Sequence, residues 1–121
     1  MTLAEEDLST LVEEWLDWRQ VADRLGVSEA KVRTMIRDHE LAAAKPREGA
    51  APQVPADLLG EDGLPLKGLA GLLTVLHDGG YDDREIIAWL HLDADLPGRP
   101  IDALRENRAS EVKRRAQAMA L

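Results

Sequence analysis

Residues 18–41, WRQVADRLGVSEAKVRTMIRDHEL, constrain the fold more than any other part of the chain. Two short runs with apolar residues at helical spacing meet at Gly26 and Ser28. Gly26 allows a turn that a β-carbon would hinder, and Ser28 is a suitable N-cap for the second run. The segment therefore predicts a helix-turn-helix, with helices over residues 18–25 and 29–39. The inward positions would be Val21, Leu25, Val27, Val32, Met35 and Ile36.

The second helix of a helix-turn-helix enters the major groove of DNA. Its exposed positions carry side chains that contact base edges or phosphates in other complexes. Residues 41–54 follow it and predict a β-hairpin with its turn at 46–49, which indicates a wing. The candidate DNA-binding residues are Ser28 as the helix cap, Lys31, Arg33, Thr34 and Arg37 on the helix, and Lys45 and Arg47 on the wing. The alternative is a helical hairpin that only packs, with its cations solvated.

The net charge is distributed unevenly along the chain, although 15 basic and 23 acidic residues give a total of −8. Residues 1–27 hold seven acids and two bases, a net charge of −5. Residues 28–47 hold three acids and five bases, a net charge of +2, and residues 48–121 return to −5 with thirteen acids and eight bases. The net charge of −8 excludes a protein that covers nucleic acid with a uniformly basic surface. The positive charge of residues 28–47 favours a small contact surface for DNA, which the protein would approach in one orientation.

We predict that the remainder of the chain is helical. It is rich in Ala, Leu, Glu and Arg, which favour helices, and the chain has no Phe, which is enriched in strands. The predicted helices cover residues 3–16, residues 66–77, a segment capped by Asp82, and residues 101–119 as two short helices or one kinked helix. The segment GEDGLP at 60–65 predicts a hinge. We therefore expect a mainly α protein, with a winged helix-turn-helix and its small β-hairpin wing over residues 1–60. A small helical domain would occupy residues 61–121.

Several functional classes are disfavoured by composition. The chain has no cysteine, so disulfides and thiolate chemistry are excluded. Its histidines, His39, His77 and His91, are scattered and fit no recognised metal spacing. We therefore expect no enzyme activity, no cofactor and no metal. The acidic N-terminus lacks the pattern of a signal peptide, and no apolar run approaches the ~20 residues of a membrane span. We expect a cytoplasmic protein without membrane contact.

The whole chain resembles a family of small actinobacterial DNA-binding proteins. The resemblance lies in VADRLGVSEAKVRTMIRDHEL at 21–41, VPADLL at 54–59, and the segment from GLLTVLHDGG to the end at 71–121. It implies an N-terminal winged helix-turn-helix and a C-terminal helical domain of unassigned function. The C-terminal half is also distantly similar to toxin-binding domains of antitoxins, through residues 89–90, the PGRP loop at 97–100, residues 103–104 and Val112.

Two hypotheses follow for function. The first is sequence-preferring binding of double-stranded DNA, with transcriptional regulation as its purpose. The second is an adaptor or antitoxin-like module whose C-terminal domain binds a partner protein. Winged regulators often dimerise to read two half-sites, and the sequence leaves open whether this chain forms a homodimer.

Overall fold

The N-terminal half is built around the two helices that meet at the glycine turn. A computed structural model describes residues 3–93 and 98–120. Helix α2 spans Trp18–Leu25 and helix α3 spans Glu29–Arg37. Between them Gly26 takes a left-handed conformation with φ 71°, which a side chain would strain. The Ser28 hydroxyl accepts a hydrogen bond of 3.1 Å from the Lys31 amide, so both the turn and the cap are confirmed.

Residues 3–16 do not form the single helix that their spacing predicts. They form a 3-10 turn at Leu3–Glu5, helix α1 at Leu8–Leu11 and strand β1 at Trp15–Leu16. Strand β1 pairs antiparallel with strand β2, Val54–Pro55. Asp17 follows in an extended conformation and starts α2 through a capping box with Gln20. The helix prediction is wrong because strand pairing and this cap divide the apolar stripe among three elements.

The predicted wing is present as a hairpin closed by one residue pair. Ala44 and Gln53 exchange two backbone hydrogen bonds of 3.0 and 2.9 Å. Lys45 and Arg47 follow directly in the loop and are exposed. Beyond the pair, the chain turns into β2, where Val54 is fully buried. Pairing of β2 with β1 therefore limits how far the hairpin extends.

The C-terminal half is helical, as predicted. After a 3-10 turn at Ala56–Leu58 come helices α4 at Leu69–Asp78, α5 at Asp83–His91, α6 at Pro100–Arg105 and α7 at Ala109–Met119. Asp82 caps α5 through a capping box with Glu85. Asn107, with φ 63°, lies between α6 and α7, so the last segment forms two helices. Pro97, the first residue of the PGRP loop, lies outside the described residues.

None of the helices within residues 3–93 and 98–120 combines the length and the apolar character that a membrane crossing requires.

The two halves share one hydrophobic core, and α5 forms much of the contact between them. It packs against the 3-10 turn at the N-terminus and against α1. The Arg84 guanidinium on α5 donates hydrogen bonds to the carbonyl oxygens of Leu3 and Glu6, at 3.3 and 2.6 Å. The N-terminal segment is thereby fixed to the C-terminal half.

A hydrogen-bonded pair of side chains, His91 and Asp57, joins the halves at the other end of α5. The side chain of His91 is inaccessible to solvent. Its Nδ1 lies 2.7 Å from the Ile87 carbonyl oxygen and its Nε2 lies 2.8 Å from Asp57 Oδ2. A carbonyl oxygen and a carboxylate oxygen both accept hydrogen bonds, so each ring nitrogen of His91 faces an acceptor. Arg105 also donates to the carbonyl oxygens of Asp57 and Leu59, at 2.8 and 2.9 Å.

Asp57→Asn is expected to lower the free energy of unfolding by about 2 kcal/mol, because it replaces the carboxylate that accepts from the buried His91 imidazole with a weaker, neutral acceptor. The matched control is Asp23→Asn, which changes an exposed acid of α2 and should shift the free energy by about 0.5 kcal/mol or less. Urea denaturation at neutral pH measures both values. Equal stabilities of the two variants would contradict the role given to Asp57.

Candidate nucleic-acid interface

Helix α3 has one face in the core and one face in solvent. Val32 is fully buried and Met35 nearly so, where α3 packs against α2. Arg33 and Arg37 are exposed and, being four residues apart, share the opposite face. Thr34 lies beside them, partly buried, and its hydroxyl donates to the Ala30 carbonyl at 3.2 Å. In this conformation, the Thr34 methyl group and the acceptor lone pairs of its hydroxyl oxygen remain for an outside contact.

The first turn of α3 and the wing supply the other predicted residues. Lys31 is exposed one turn before Thr34. The hydroxyl oxygen of Ser28 accepts a hydrogen bond from the Lys31 amide, so Ser28 stabilises the N-terminus of α3 as its cap. Lys45 and Arg47 are exposed in the loop that follows Ala44. The structure thus leaves all five predicted cations accessible.

These cations have few intramolecular partners. Arg37 Nε lies 3.5 Å from Asp38 Oδ1, but the arginine side chain is 75% exposed, so the pair contributes little. Among the described residues, no ion pair engages Lys31, Arg33, Lys45 or Arg47. Their charges are available to an external anion.

Three arginines of the C-terminal half differ in this respect, whereas Lys113 and Arg114 of α7 are exposed and, among the described residues, form no ion pair. Arg105 is bound to two carbonyl oxygens of the N-terminal half. Arg108 pairs with Glu106 at 3.5 Å and with Glu111 at 3.2 Å. Arg115 lies over the Trp89 ring, 6.0 Å from its centroid. These three arginines stabilise the C-terminal helices.

Arg99 is likewise paired within the C-terminal half. Its Nε and Nη2 each donate a hydrogen bond of 3.0 Å to the carboxylate of Asp102. This pairing lowers the pKa of Asp102 below its ordinary value and raises the pKa of Arg99. Both groups are therefore charged at neutral pH and neutralise each other.

Sequence reasoning missed one cluster that the fold assembles. His39, His77 and Asp83 come from three segments, and their ligand-type atoms lie within 4.8 Å of one another. Asp83 lies in the first turn of α5, where the helix dipole favours an acid whether or not it has any further role. Nothing in the spacing of the histidines indicates their contact, because it depends on how the two halves pack.

Comparisons with known proteins place both halves in described families. Residues 4–59 match the family described as "DNA-binding protein Rv2175c, wHTH domain", where wHTH denotes a winged helix-turn-helix. Residues 66–120 match the family described as "Rv2175c C-terminal domain of unknown function". Together the matches span most of the chain, so the resemblance seen in the sequence is confirmed.

One relative is similar along almost the entire chain. It is the protein named "DNA-binding protein Rv2175c" from Mycobacterium tuberculosis strain H37Rv, 41% identical over 117 residues, which cover 86% of this chain and 79% of the relative. A solved structure titled "NMR structure of Rv2175c" superposes with a TM-score of 0.78 at 40% identity, covering 90% of this chain and 82% of that one. The chain therefore belongs to the Rv2175c family.

Proposed function

We propose that this protein binds double-stranded DNA, prefers particular sequences and regulates transcription. The observation that carries the proposal is the set of exposed cations on α3 and the wing, four of them without an ion-pair partner in the described chain, within a protein of net charge −8. The winged helix-turn-helix family and the name of the mycobacterial relative support DNA as the ligand. The acidic remainder would lower affinity for DNA of arbitrary sequence.

In the proposed complex, α3 lies in the major groove. Arg33 and Arg37 would read base edges, since arginine forms paired hydrogen bonds with guanine. Thr34 would contact a thymine methyl group, and Lys31 a flanking phosphate. The wing would contact the phosphate backbone of the DNA through Lys45 and Arg47.

The two halves would have different functions. Residues 1–60 would form the DNA-binding domain. Residues 61–121 would support it through α5 and offer a surface to a protein partner or to a second copy of the chain.

Substituting Arg33→Ala and Arg37→Ala together should weaken binding to a duplex selected from a random pool by about tenfold or more, since each base-reading arginine contributes about 1–3 kcal/mol. Both side chains are exposed, so the fold should persist. Fluorescence anisotropy measures the affinity. The matched control, Arg114→Ala, removes an exposed cation of α7 and should leave the affinity nearly unchanged. An equal loss in both variants would contradict an interface at α3, and a pool without enrichment would contradict sequence preference.

Lys45→Ala and Arg47→Ala should each weaken binding to selected and scrambled duplexes alike, because a phosphate contact carries no base information. Each substitution should also reduce the slope of log affinity against log salt by about one unit. Anisotropy titrations over a range of salt concentrations give the slopes. Unchanged slopes would show that the wing does not touch the backbone.

A further inference from the structure

Three polar side chains meet where the end of α3 approaches α4 and α5. His77 Nε2 lies 2.7 Å from Asp83 Oδ1, and the ring of His39 stacks on the ring of His77 with centroids 3.7 Å apart and planes inclined by 21°. The side chains of His77 and Asp83 are only 18% and 22% exposed. The cluster is therefore largely shielded from solvent and draws on both halves of the chain.

One ring nitrogen in this cluster lacks a partner. His39 Nδ1 is buried and forms no hydrogen bond. A buried polar atom without a partner destabilises the fold, because it loses its hydrogen bonds to water and gains none in the protein. His39 also has a left-handed backbone conformation with φ 61°, which is uncommon for a residue other than glycine. The fold thus keeps an imidazole beside a second imidazole and a carboxylate, at a cost that a ligand could offset.

We propose that His39, His77 and Asp83 bind a divalent transition metal of the Zn²⁺ class. Two imidazole nitrogens and one carboxylate oxygen form a donor set that suits Zn²⁺, Ni²⁺ and Cu²⁺. Mg²⁺ and Ca²⁺ prefer sites made of oxygen atoms, so the two nitrogens disfavour them. The remaining coordination position is filled by water.

The geometry requires a small local rearrangement. The ion takes the place of the proton that His77 Nε2 shares with Asp83. Their 2.7 Å separation then widens to about 3.3 Å, the spacing of ligand atoms each 2.0–2.1 Å from a tetrahedral metal. The two rings turn out of their stack so that their lone pairs converge on the ion. Binding releases the proton from Nε2, because a metal ligand must be the unprotonated nitrogen.

The ion would join segments that flank the proposed DNA-binding surface. His39 follows the last turn of α3, and Asp83 Oδ2 accepts a hydrogen bond of 3.1 Å from the Ala43 amide at the base of the wing. His77 and Asp83 belong to the C-terminal half. An ion at this position therefore cross-links the two halves and stabilises the folded chain by mass action.

Calorimetric titration of the full chain with Zn²⁺ tests the site. The expected result is one saturable ion per chain, an increase in Tm with Zn²⁺, and no binding of Mg²⁺. Co²⁺ in the same position should give the visible absorption of a tetrahedral ion with nitrogen and oxygen ligands. Removing one ligand should weaken Zn²⁺ binding by at least about tenfold, as even a loss of supporting contacts around a metal does.

The ligand variants are His39→Asn, His77→Gln and Asp83→Asn. Asparagine tolerates the left-handed conformation at position 39, and circular dichroism verifies that each variant is folded. If Asp83→Asn fails to fold, the two histidine variants decide the result. Asp78→Asn, which changes an exposed acid directly after His77, is the control and should bind Zn²⁺ as the unmodified chain does.

An absence of saturable Zn²⁺ binding, or equal Zn²⁺ binding after both histidine substitutions, would overturn the proposal. The measurement contains no DNA, so its outcome is independent of the proposed function.

Discussion

The buried pair of His91 and Asp57 is the interaction on which the arrangement of the two halves depends. The His91 imidazole is inaccessible to solvent, so its polar nitrogens need partners within the protein, and Asp57 supplies one from the end of the N-terminal half. At the opposite end of α5, Arg84 binds the N-terminal segment and Asp83 binds the base of the wing. Helix α5 therefore contacts the winged half at both ends. The position of the wing relative to α3 follows from this contact as much as from the short sheet of β1 and β2.

Most arginines of the C-terminal half have partners within the protein, whereas the cations of α3 and the wing are mostly unpaired. Among the described residues, five of the six arginines of the C-terminal half contact carbonyls, carboxylates or the Trp89 ring, and Arg114 is the exception. Those of α3 and the wing are exposed, and within the described chain Arg37 alone among them pairs with an acid, weakly. Because phosphate contacts dominate affinity for DNA, unpaired charge indicates an interface better than the number of basic residues does. In a chain of net charge −8, this favours a binder that needs a particular orientation on its target.

The sequence predicts the features that depend on local chemistry. The turn at Gly26, the caps at Ser28 and Asp82, and the helices that follow them are all confirmed, because each is decided by a few neighbouring residues. Residues 3–16 do not form the single helix that their spacing predicts, since β1 forms only when β2, about forty residues away, is in place. The capping box of Asp17 and Gln20 is the local signal that marks the break. The contacts of His39 with His77 and of His91 with Asp57 were not predictable, because they arise from packing between the halves.

We propose that DNA contacts the protein at α3 and the wing. Amide chemical-shift mapping by NMR during titration with a short duplex at low salt tests it most directly, since it reports every segment at once. We expect the shifted amides to concentrate in residues 28–38 and 44–53, with smaller changes in α5 behind the wing. Shifts concentrated around Lys113 and Arg114 on α7, or no shifts at all, would contradict it.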